Sequence, residues 1–104
     1  FLPATRIRHR GIRLCIGSDS NMRIDPLEEL REIEGIARRQ SGTRGVFATE
    51  ALLEMGGAAG ARSLGLERWP GIQVDLAHRS LAGIAREHVP AALVAGCGAD
   101  VIAP

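Results

Sequence analysis

Gly11-Ile12-Arg13-Leu14-Cys15-Ile16-Gly17-Ser18-Asp19-Ser20-Asn21 reads as a short apolar strand that ends in a carboxylate flanked by small, polar residues. In α/β barrels the chemistry sits at the C-terminal ends of the strands. Asp19, placed where the apolar run gives way to a Gly/Ser loop, is therefore a candidate site residue. Taken alone, Gly17-Ser18-Asp19-Ser20 reads more readily as a simple turn whose Asp side chain bonds a nearby backbone amide.

Downstream of this loop the spacing predicts a helix over Pro26 to Arg39. Asp25 is placed to cap its free amides, Pro26 suits the first helical position, and Glu28 completes a capping-box pattern. Leu27, Leu30, Ile33 and Ala37 form an apolar stripe at helical spacing, and Glu34 and Arg38 are placed for an i,i+4 pair. Glu28, Glu29 and Glu34, with Arg31 beside them, read as structural. Ser41 and Gly42 end the helix.

A second helix is expected from Glu50 to Leu64, capped by Thr49 and ended by Gly65. Gly56, Gly57 and Gly60 weaken it by roughly 0.5–1 kcal/mol each, which implies another element packed close to that backbone. Trp69-Pro70-Gly71 reads as a boundary turn. Gly71 to Leu76 and Ala91 to Ala95 read as short strands, and Asp100 to Pro104 as the opening of another.

The chain has 104 residues, well short of the ~250 of a closed eight-stranded barrel. Its 45% hydrophobic and 24% charged content is that of a soluble globular protein, with no run approaching the ~20 apolar residues of a membrane span. All thirteen basic residues are Arg, but the net charge is only +1 and aromatics make up 3%, so a nucleic-acid partner is not expected. Cys15 and Cys97 lack Cys-x-x-Cys spacing and read as free thiols of a reducing cytoplasm, with Cys15 turned toward a core or a neighbouring strand. Phe1-Leu2-Pro3 lacks the apolar core of a signal peptide, so the start reads as cut rather than targeted.

Gly17-Ser18-Asp19-Ser20-Asn21, then Asp25, Glu28-Glu29-Leu30-Arg31 and Glu34, resemble the last barrel strand and following helix of formimidoylglutamate deiminases, members of the amidohydrolase superfamily. The similarity continues more weakly through Gly56 to Gly65 and Val74 to Gly83, and to Ala92-Leu93-Val94-Ala95-Gly96. The resemblance implies an α/β chain: the C-terminal strand-helix portion of a (β/α)8 metal-dependent hydrolase barrel over residues 1–66, with a remnant of its small β-sandwich domain over 67–104. In such enzymes the Asp at the end of the last strand faces a catalytic divalent metal, usually zinc, and handles protons for the attacking water. By resemblance Asp19 takes that catalytic and metal-facing role, and Ser20, Asn21 and Arg23 are the neighbours placed to orient it or to meet substrate.

The implied reaction converts N-formimidoyl-L-glutamate and water to N-formyl-L-glutamate and ammonia, a step of histidine degradation. A zinc site needs about three protein ligands, mostly His, and His9, His78 and His88 do not have the family's spacing. The chain alone is therefore expected to bind no metal and to be inactive, as part of a longer cytoplasmic enzyme acting on a small-molecule substrate. Ile36 to Phe47 is shorter than the family's segment, and Leu66 to Val74 lacks its Gly-rich strand. Two alternatives stay open: a non-catalytic interaction or assembly module derived from an amidohydrolase, and a related deaminase of different specificity. Exposed strand edges and the apolar Ile12, Leu14 and Ile16 predict a homo-oligomer.

Overall fold

Asp25 starts the longest helix of the computed structural model, which describes residues 1–104. Its Oδ1 accepts the amides of Leu27 and Glu28 at 3.1 Å each, Pro26 occupies the first turn, and Gly42 closes the helix in the left-handed conformation at φ 71°. The helix, α2 (Pro26–Ser41), extends two residues beyond the expected end. Glu28 does not complete a capping box; its carboxylate turns to Arg23, 3.1 Å away.

Around α2 lie α1 (Ala4–His9), α3 (Thr49–Gly56), α4 (Ala58–Ser63) and α5 (Val89–Gly96), with 3-10 turns at Arg79–Leu81, Arg86–His88 and Ala99–Val101. Helices account for 51% of the residues. Helices α2, α3 and α5 pack on one another, and α2 divides its apolar stripe between two clusters. Leu30 and Ala37 join Ala4, Phe47, Leu52, Met55 and Val94 in the first. Leu27 joins Leu81, Val89, Leu93, Cys97 and Val101 in the second. Helix α5 thus contributes to both, Val94 to one and Leu93 to the other. Burying a side chain such as Leu30 is worth roughly 2 kcal/mol against exposure. At the N-terminal end the Arg8 guanidinium stacks over the Phe47 ring, 5.4 Å from its centroid.

The expected second helix exists in two pieces. Ala48, not Thr49, is the N-cap, and the chain breaks at Gly57 (φ −136°, ψ −93°). The glycines explain the break. A Cβ on Gly56 would sit 2.9 Å from Leu30 Cδ1, and one on Gly57 would sit 2.7 Å from Trp69 Nε1. Close packing is therefore real at these two positions, while Gly60 has no neighbour within 4 Å.

The α/β expectation is corrected: no β-ladder forms, and the only strand-like pairing is an antiparallel bridge between Val74 and Ile102. A strand exists only by pairing. Ile12 to Ile16 has no neighbouring strand within the chain, so it joins no barrel sheet. Ala91 to Ala95 is helical, as part of α5, because Pro90 falls in the first turn and Ala and Leu favour helix once the turn is nucleated. Asp100 and Val101 lie in a 3-10 turn, leaving Ile102 alone to pair with Val74. Neither a barrel sheet nor a β-sandwich remnant is formed. No helix is long and apolar enough to cross a membrane.

Candidate functional site

Ser18 to Ile24 is the loop that delivers the candidate residues, pinned at its far end by the capped start of α2. Its turn closes with the Asn21 amide donating to the Ser18 carbonyl at 2.8 Å. Asp19 sits at the corner with φ 45°, the only residue other than glycine at positive φ. Asp is one of the few residues that tolerate this region. Its side chain is exposed and engages in no hydrogen bond or ion pair, so the turn is closed by backbone and not by the Asp carboxylate.

The other candidates are placed differently. Ser20 is exposed and follows Asp19 in the turn. Asn21 donates its side-chain amide to Glu29. Arg23 lies 3.1 Å from Glu28 and 3.7 Å from Asp25 while remaining three-quarters exposed. Asn21 and Arg23 line a shallow cavity of about 290 Å³ with Glu28, Glu29 and Glu32; Asp19 and Ser20 do not. A carboxylate ligand reaching Arg23 there would displace Glu28 and meet two further glutamates.

Two carboxylates that the sequence placed only in structural roles are the most constrained of all. Asp25 is 5% exposed, and besides capping α2 its Oδ2 accepts the amide of Ala99 at 3.0 Å, tying the C-terminal turn to the start of the helix. Burial raises its pKa. The amides of Ala99, Glu28 and Leu27, with the Arg23 charge, outweigh that and hold it below the ordinary value of 3.8. Glu34 is equally buried. It accepts the amides of Val46 at 3.1 Å and Phe47 at 2.8 Å and pairs with Arg38 at 2.7 Å. Burial again raises its pKa, and Arg38 and the two amides bring it below the ordinary 4.5. Glu34 lies on the Leu27, Leu30, Ala37 stripe, a position that signals burial at helical spacing.

Arg31 does not pair with the helix acids. It donates to the carbonyls of Val94 at 2.8 Å and Cys97 at 2.6 Å and so caps the C-terminal end of α5. His78 forms a further linked set: its Nδ1 lies 2.6 Å from Ser80 Oγ and accepts the Ser80 amide at 3.2 Å, and its Nε2 is 3.2 Å from Asp100 Oδ2. These contacts cap the turn at Arg79–Leu81 and fasten it to the C-terminal turn. Both cysteines are free; Cys97 is buried, whereas Cys15 is exposed rather than turned toward a core, its Sγ 3.8 Å from Ser63 Oγ.

A hydrolytic zinc centre takes about three protein ligands plus water. No group of three or more His, Cys, Asp or Glu side chains is placed to hold a metal ion, and His78 and His88 pair with Asp100 and Glu87. The residues of this chain do not by themselves fit such an ion. Compared with known protein families, curated proteins and solved structures, the chain matches none.

Proposed function

We propose that this chain supplies the Asp-bearing end of a metal-dependent hydrolase of formimidoylglutamate deiminase type. The complete enzyme converts N-formimidoyl-L-glutamate and water to N-formyl-L-glutamate and ammonia, and its other metal ligands and barrel strands come from outside these 104 residues. The observation that carries the reading is Asp19: an unshared carboxylate on a left-handed corner, exposed at the end of an apolar segment. A carboxylate that serves the fold is bonded by it, as Asp25 is. One left free in a backbone conformation that costs on the order of 1 kcal/mol fits a role outside the fold. The motif from Gly17 through Glu34 supports the family, and Asn21 and Arg23 flank the same loop.

A second reading, a non-catalytic interaction module built on the same sequence, is favoured by one observation. The chain encloses two hydrophobic clusters of its own. Intact mass, metal content and ammonia release from N-formimidoyl-L-glutamate, measured on the protein purified from its source, separate the two. A barrel-sized protein with about one zinc or similar ion per chain, whose ammonia release is lost in Asp19→Asn, supports the deiminase. A natural mass of 11.1 kDa without metal overturns it and leaves the module.

A further inference from the structure

Residues 13–18, upstream of Asp19, alternate in burial: Arg13, Cys15 and Gly17 are exposed, while Leu14, Ile16 and Ser18 are half-buried. That period of two belongs to an extended backbone. Leu14 and Ile16 pack on the first hydrophobic cluster, which anchors one face of the segment to the helices.

In an extended chain the N–H and C=O of successive residues point to opposite edges. The Ile12 amide donates to the Ile7 carbonyl and the Ile16 amide to the Met55 carbonyl, each at 3.3 Å, so the even-numbered edge faces α1 and α3. The N–H and C=O groups of Arg13, Cys15 and Gly17 form the other edge, and none of them is bonded within the chain. Open backbone edges of this kind are templates for pairing.

We propose that this edge pairs with the same edge of a second copy, antiparallel and two-fold symmetric about Cys15. In that register Cys15 faces the partner's Cys15 and Arg13 faces the partner's Gly17. All three free amides of each copy then meet free carbonyls, and no two arginines are opposed. A register centred on Arg13 would oppose like charges and leave Gly17 unpaired. The arrangement is isologous, so it closes as a dimer rather than a fibre. It concerns the backbone before Asp19 in the 104-residue chain; in a complete barrel a neighbouring strand would take this edge, so the dimer and the deiminase reading make opposite predictions for it.

The test is sedimentation equilibrium of the reduced 104-residue chain with substitutions at Gly17, which has a permissive φ and no neighbour within 4 Å of an added Cβ. Gly17→Glu places a carboxylate opposite Arg13 twice per dimer and tightens association by about three- to tenfold; Gly17→Arg weakens it by a similar factor. In a second measurement diamide, which accepts the two thiol hydrogens, links the dimer through Cys15 and leaves the buried Cys97 free. Opposed hydrogen-bonded residues stand about 5.5 Å apart at Cα, within disulfide reach. A chain that is monomeric at every concentration overturns the proposal. So does a dimer that responds equally to Glu and Arg at position 17, which would place the contact on another surface.

Discussion

Asp19, in the Ser18–Ile24 loop, and Asp25, the helix cap that follows it, could hardly be used more differently. Asp25 is 5% exposed, receives three backbone amides and lies beside Arg23. Asp19 is exposed, bonded to nothing in the chain, and held at φ 45°. The contrast teaches how to sort carboxylates by what the fold does with them. Those whose lone pairs are consumed by amides hold elements together, and one whose oxygens stay free is available to a ligand. Glu34 belongs with Asp25, since it ties the Val46–Phe47 loop to α2 through two amides and Arg38.

The largest effect that sharpens this division is expected at Glu34. Glu34→Ala leaves two amides without acceptors and a guanidinium without its partner, at a cost of about 3 kcal/mol in urea unfolding, whereas Glu34→Gln retains an acceptor and costs less. Asp25→Ala removes the cap and the Ala99 bond together and costs about 2 kcal/mol. A loss below about 0.5 kcal/mol in either alanine variant would break the distinction between fold-holding and free carboxylates.

Acid gives the same comparison without mutation. Both folded-state pKa values lie below the ordinary 3.8 and 4.5, so the stabilisation is fully present above those values. It is lost as the pH falls through the lower folded values, where the native state must take up protons. The unfolding midpoint should therefore be flat above about pH 5 and fall below it, and the fall should be smaller in Glu34→Gln. An acid limb unchanged in that variant would remove Glu34 from the account.

Arg31 comes next. Arg31→Lys keeps the charge but cannot hold the carbonyls of Val94 and Cys97 in a fixed fork, and costs about 1 kcal/mol. The expected signature is early loss of amide protection in α5 under native-state hydrogen exchange. If α5 and α2 exchange together as in the unsubstituted chain, the cap is not what secures α5.

How much of this was legible in the sequence follows from the range of the forces involved. The start of α2 was readable, and its end to within two residues, because Asp25, Pro26 and Gly42 act within a turn or two of chain. The close packing at Gly56 and Gly57 was readable because only glycine permits it. The partners Leu30 and Trp69 were not, since they arrive from elsewhere in the chain. Ala91 to Ala95 reads as strand yet folds as helix because five apolar residues carry no period that separates a buried strand from a buried helix. Asp25–Ala99, Arg31–α5 and Glu34–Phe47 are long-range polar contacts with no local trace beyond the position of Glu34 on an apolar stripe. Gly57→Ala tests the one such contact that can be seen optically. It should push the sole Trp off its neighbour and red-shift its emission, and an unchanged spectrum would mean that Trp69 does not rest on Gly57.

The smallest stability effect is expected at Asp19, and there the comparison is most exposed to failure. Asn tolerates positive φ as Asp does, and Asp19 contributes no bond that the substitution would remove. Asp19→Asn should therefore leave the unfolding midpoint within the range of a neutral surface change, about 0.5 kcal/mol; on the proposed deiminase reading it also abolishes ammonia release. A destabilisation matching that of Asp25→Ala would mean that the Asp19 carboxylate is a turn-holding group like its neighbour. The deiminase reading would then lose the residue on which it stands.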